Sequence, residues 1–215
     1  MKKLFLMMAV IFCGALLVSA DAGDKQDAPT LKPLDEWTFL QIGFFPGIPQ
    51  GTNYSNVYGI KIGVPMVSGY GRVRGIEPSI LLSGTDYVYG VQATLLGVNR
   101  AKRVYGLQAT SLVNISEEVI GFELSQVNIA NEIKGFQASV VNVTGKVAGF
   151  QAGAVNVANK VDGFQASAVN IVGEELKGGQ LGVFNYSKKS GCQFGLVNII
   201  EDGWIPFMII FNIKF

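Results

Sequence analysis

Few residues of this 215-residue chain could carry chemistry, and their types narrow what that chemistry would be. The sequence has no histidine, which removes the commonest general base, the Ser-His pairing and imidazole metal ligation together. The acids are scattered, and no pair of carboxylates is placed for acid–base work. Gly69-Tyr-Gly-Arg-Val-Arg-Gly75 is faintly like a phosphate-binding glycine loop. It leads into a strand pattern rather than a helix, so no helix N-terminus follows to receive an anion, and it reads as a hairpin turn. Cys192 is the single cysteine beyond the first twenty residues, so no internal disulfide is expected. Neither catalysis, a cofactor nor a metal is predicted.

What remains is a row of polar residues at a fixed slot. The run Val147-Ala-Gly-Phe-Gln-Ala-Gly-Ala-Val-Asn-Val157 recurs nearly unchanged at Ile133–Val143 and Val161–Ile171. More distant copies align on Gly59, Gly75, Gly90, Gly106, Gly121, Gly178 and Gly191, giving ten units spaced 13 to 16 residues apart. Two residues after the glycine stand Lys61, Glu77, Gln92, Gln108, Glu123, Gln137, Gln151, Gln165, Gln180 and Gln193. One residue after it the slot is mostly apolar and includes Phe122, Phe136, Phe150 and Phe164. Four after it the residue is always small: Ser139, Gly153 and Ser167 in the most regular copies. A polar row alternating with an apolar row has the period of a strand, not of a helix. The alternation slips in the second half of each unit, where Asn142, Asn156 and Asn170 fall on the phenylalanine face.

One polar break per unit is visible, as at Ala130–Glu132, Thr144–Lys146 and Ala158–Lys160, and such breaks suit hairpin connections. The expectation is therefore an all-β fold: an antiparallel up-and-down transmembrane β-barrel of about 12 strands. Ten strands come from the repeats, an eleventh from Glu36–Phe45 and a twelfth from Ile205–Phe215. A strand of about eleven residues spans ~36 Å, or ~26 Å when tilted by 45°, which matches the apolar band of such barrels. The alternative is a parallel β-solenoid, in which each unit is one coil and equal residues stack. It requires at least one further bend per unit, which the small residue in mid-unit could conceal.

In the barrel reading the charged and glutamine slot faces the lumen. A charge on the lipid face costs about 2–4 kcal/mol at mid-membrane, so Lys61, Glu77 and Glu123 must turn inward, with Lys61 and Glu77 on neighbouring strands and able to bridge. Phe122, Phe136, Phe150, Phe164 and Phe215 then face the membrane. Residues 1–20 have a basic start, an apolar middle and a Val-Ser-Ala finish, as a secretory signal peptide does. Residues 21–35 read as a polar periplasmic tail, and 36–215 as the barrel. Removing Lys2 and Lys3 with the leader leaves 15 basic against 16 acidic groups, and without a basic stripe nucleic acid is not an expected partner.

The tandem G-[LF]-Q-x-[GS]-x-x-N units, clearest from Val104 to Ile200, resemble a group of bacterial surface-repeat proteins. The alternating Phe211, Ile213 and Phe215 resemble the C-terminal signature of bacterial outer-membrane barrels. These resemblances imply export to the outer membrane or cell surface, with membrane lipid and the barrel-insertion machinery as partners. The functional expectation is a structural barrel or passive small-solute channel, and the alternative is an exported, soluble β-solenoid used for surface interaction.

Overall fold

The computed structural model describes residues 37–49 and 51–214. The expected leader and polar tail, residues 1–35, and Phe215 lie outside the described residues. The described regular structure is all β: β1 (Trp37–Gly43), β2 (Asn56–Gly63), β3 (Met66–Ser79), β4 (Leu82–Thr94), β5 (Val98–Thr110), β6 (Val113–Leu124), β7 (Val127–Ala138), β8 (Val141–Ser187), β9 (Gly191–Ile200) and β10 (Phe207–Lys214). They form one sheet in chain order, and from β1 to β9 each strand runs parallel to the next. Register joins like to like: Gly75 faces Gly90, Gln92 faces Gln108, and Phe122 faces Phe136. Within the 47-residue β8 the chain winds past itself, with Gly149, Gly163 and Gly178 in successive coils.

This is a parallel β-solenoid with one repeat per coil, and it overturns the antiparallel barrel of about 12 strands. No β1–β10 pairing closes the sheet, so the proposed lumen and lipid-facing wall do not exist as such. The error lay in the breaks. Ala130–Glu132 and Thr144–Lys146 do not reverse the chain, which stays in strand geometry through both, with Ala130 and Thr144 buried and Lys146 exposed. Parallel strands cannot be joined by tight hairpins, so each unit must travel round the core before it meets the next.

Burial shows how it does so. In one coil the inward residues are Ile133, Gln137, Asn142, Thr144 and Val147, at intervals of four, five, two and three residues. A straight strand would place them every second residue. Three bends account for the longer steps: at Gly135, at Ser139–Val140 and at Gly145–Lys146. The second is the mid-unit bend, and it reverses the phase of the alternation. That is why Asn142 is inward although counting from Phe136 puts it outward.

Glycine is obligatory at the first bend. All ten repeat glycines have φ between +126° and +148°, a region that other L-residues seldom enter. The previous coil also passes directly beneath: a Cβ on Gly149 would stand 2.1 Å from the carbonyl oxygen of Gly135.

The expected terminal strands exist in shortened form, and their partners differ from those of a barrel. β1 lies parallel on β2, while β10 turns back and pairs antiparallel with β9. Only this last connection is a true hairpin between named strands.

Gly149→Ala should lower the unfolding free energy by about 2–4 kcal/mol in urea titration, from backbone strain and the clash together. Gly173→Ala is the control. Its φ is not in the positive region and the nearest atom to a new Cβ is 3.8 Å away, so the midpoint should scarcely move.

Candidate functional site

The ten residues expected to face a lumen do point inward, into a filled core. Lys61, Glu77, Glu123 and all seven glutamines of the slot are 0–1% exposed. Beside them run the stacked Val88, Val104, Val119, Ile133, Val147 and Val161. A buried primary amide needs partners for both its donors and its acceptor. Stacking at coil spacing provides them, because each glutamine meets its own equivalent. Nε2 of Gln151 donates to Oε1 of Gln137 at 2.7 Å, and Gln165 donates to Gln151 at 2.7 Å. Gln180 and Gln193 extend the ladder at 2.9 and 2.8 Å.

A second ladder is the one that the solenoid alternative implies, in which the recurrent asparagines stack. Asn99, Asn114, Asn128, Asn142, Asn156, Asn170, Asn185 and Asn198 are all buried and linked Nδ2 to Oδ1 at 2.8–3.1 Å. The signal in the sequence is their place after the glycine: seven residues on from Gly121 to Gly191, eight after Gly106 and nine after Gly90. The two ladders run in opposite senses. Each glutamine donates toward the N-terminal end of the stack, and each asparagine toward the C-terminal end.

The three charges in the glutamine slot are held differently. Lys61 Nζ donates to the Ser68 carbonyl and Thr85 Oγ1, both at 2.9 Å, and burial pulls its pKa down against the opposing charges of Glu77 and Asp86. Burial pushes Glu77 up, opposed by Lys61. The expected direct Lys61–Glu77 bridge is absent from the described ion pairs, and the Lys61 ammonium is satisfied by neutral oxygens instead. Glu123 accepts from Gln137 Nε2 at 2.7 Å and from Ser116 Oγ at 3.4 Å, and burial pushes it up to about 7.

Of the phenylalanines expected in lipid, the four described ones, Phe122, Phe136, Phe150 and Phe164, form a row on the outer surface. Phe136 and Phe150 are 5.5 Å apart and within 1° of parallel, and Phe164 continues the row at 5.8 Å. Phe122 is tilted and 56% exposed. Stacking along the coil axis presents ring edges, not faces, to solvent. Further exposed apolar residues stand five places after the repeat glycine, at the mid-unit bend, among them Leu95, Val140, Val183 and Leu196. Across from this, charges of alternating sign step from coil to coil: Asp86–Lys102 at 2.7 Å, Arg103–Glu118 at 2.6 Å, Glu118–Lys134 at 2.9 Å and Glu132–Lys146 at 3.2 Å. Lys102, Arg103, Glu118, Glu132 and Lys146 border a groove of about 310 Å³ that also includes Tyr87 and Asn131. The hydrogen bond from Lys134 holds Glu118 below the usual carboxylate range.

Gly69–Gly75 lies within β3, not in a turn, so the hairpin reading of this stretch is also corrected. Arg74 reaches over the rings of Tyr58 and Tyr89 at 5.2 and 5.7 Å. Cys192 is a free, partly buried thiol in the slot of the phenylalanines. Among the described residues no group of three or more His, Cys, Asp or Glu is placed to hold a metal ion. No family model, curated protein or solved structure matches the chain.

Gln151→Leu strands the Gln165 amide and removes a donor from Gln137. It should destabilise by about 2–4 kcal/mol in chemical denaturation, whereas Lys160→Ala on the outer face should leave the midpoint unchanged.

Proposed function

We propose that the protein is an exported, non-catalytic β-solenoid that works as a rigid scaffold for interaction at the cell surface. One observation carries this reading: the amides of the two repeat slots are consumed inside the stack, while apolar and charged residues stand outward in rows of fixed spacing. A partner therefore meets a periodic surface rather than a pocket with convergent reactive groups. Solenoids of other sequence classes present extended binding surfaces in this way, because neighbouring repeats hold each other and leave one outer face free. Export is supported by the leader-like residues 1–20, and the surface location by the resemblance of the G-[LF]-Q repeats.

The test uses three purified proteins: the natural chain, a Phe136→Ser/Phe150→Ser variant and an Arg103→Ala/Lys134→Ala variant. All three should remain in solution without detergent and unfold at similar temperatures. Fluorescently labelled natural protein should bind the surface of the producing cells, and one of the variants should lose that binding by about tenfold or more. If the natural protein binds no cells, or if both variants bind as well as it does, the scaffold reading fails.

A further inference from the structure

The glutamine ladder has a single internal break. Gln108 Nε2 donates to Gln92 Oε1 at 2.8 Å, and Gln137 Nε2 donates to Glu123 Oε2 at 2.7 Å, but nothing donates from Glu123 to Gln108. Gln108 Oε1 is buried and has no partner, although its backbone lies in register with Glu123. The other unpartnered oxygens of the slot lie toward its two ends: Glu77 Oε2, on the residue that receives the Gln92 amide, and Gln193 Oε1, at the last rung, where no further glutamine follows.

Comparison with a regular coil explains the orphan. Thr144 Oγ1 donates to Gln137 Oε1 at 2.7 Å and itself accepts from Gln151 Nε2 at 3.1 Å. Ser116 stands at the same place relative to residue 123, seven positions before it. By this pattern Ser116 would donate to Gln108 and accept from residue 123. A carboxylate has no hydrogen to give and only accepts, so Ser116 turns its hydroxyl to Glu123 Oε1 and Gln108 is left without a donor.

We propose that Glu123 is carried in the folded stack as the neutral acid, its carboxyl O–H taking the place of the missing amide N–H and closing the ladder onto Gln108, so that the middle coils form a proton-sensitive joint. The proton binds at Glu123 Oε1. From there it is donated to Gln108 Oε1 directly, or to Ser116 Oγ, whose own hydrogen then passes to Gln108.

The surroundings leave the proton no competitor. On β5 the inward residues nearest in the stack are Asn99, Val104 and Gln108, and on β7 they are Asn128, Ile133 and Gln137; none of these titrates. The charged residues of those strands are on the outer face: Lys102, Arg103, Glu132 and Lys134 in ion pairs, and Arg100 exposed. Burial raises Glu123 to about 7, even with the hydrogen bonds from Gln137 and Ser116 acting the other way. An unfolded glutamate titrates near 4.5. The folded state thus holds a proton that the unfolded state has lost between about 4.5 and 7. Stability falls as pH rises through that window and stays low above it.

Two measurements on the full chain test this. In protein labelled with ¹³C at glutamate side chains, the Glu123 carboxyl resonance should titrate near 7, whereas that of Glu118 should titrate below the ordinary range. A Glu123 resonance that is ionised at pH 5.5 overturns the proposal without any mutation. In urea unfolding, the natural chain should lose midpoint between pH 5 and pH 8 relative to Glu123→Gln, and Glu123→Gln should be the more stable of the two at pH 8. Lys61 and Glu77 are common to both proteins, so their titration cancels in the comparison. Parallel pH profiles, or a Glu123→Gln protein less stable than the natural one at pH 8, also overturn it.

Discussion

The structure depends on one constraint: a side-chain amide buried away from water must find its hydrogen-bond partners within the protein. A single buried glutamine would be a defect. A column of glutamines, each one coil from the next, is self-satisfying, and so is the column of asparagines. Everything else follows from keeping those columns straight. Parallel pairing is required because only a displacement by one whole coil brings equal residues together. Glycine is required at the first bend because the backbone of the coil below comes too close for a side chain. The two ladders run in opposite senses, so their amide dipoles oppose each other along the stack.

Unequal coils keep the columns intact by placing extra length outside them. Five residues separate Gln137 from Asn142, but seven separate Gln92 from Asn99, and the additional residues form the outward bend at Leu95–Gly97. Both ends of the bend stay anchored: Asn99 donates to Asn114 at 2.9 Å, and Gln92 accepts from Gln108 at 2.8 Å. Such bends are exposed and can lengthen without disturbing what the interior needs.

Much of this was legible in the chain. The repeat, its glycine, the inward sense of the residue two places on and the outward row of phenylalanines all followed from period-two alternation. Strand direction did not. A polar, glycine-containing break looks alike whether the chain reverses there, as in a hairpin, or merely turns a corner, as at Thr144–Lys146. Ser139 resolved the matter in the structure, since a bend there flips the phase and brings Asn142 to the same side as Gln137. The slip in alternation was visible; its physical meaning, a corner rather than a strand end, needed the neighbouring coil. At Glu123 and Lys61 the sequence marked an exception, but whether charges inside meant a water-filled interior or a dry one depended on that same choice.

The reversed last strand has a consequence for how long the assembly can become. A stack of like rungs is an open template, since its final edge offers the same unpaired backbone groups that received each previous rung. Here β10 runs against the series, its register with β9 shifts between Met208 and Ile210, and Ile210 takes a φ of +72°. A second molecule arriving with its parallel coils would meet an edge of opposite polarity and uneven spacing. β10 thus breaks the series of like rungs, and its outer edge does not repeat the template that each parallel coil offers to the next.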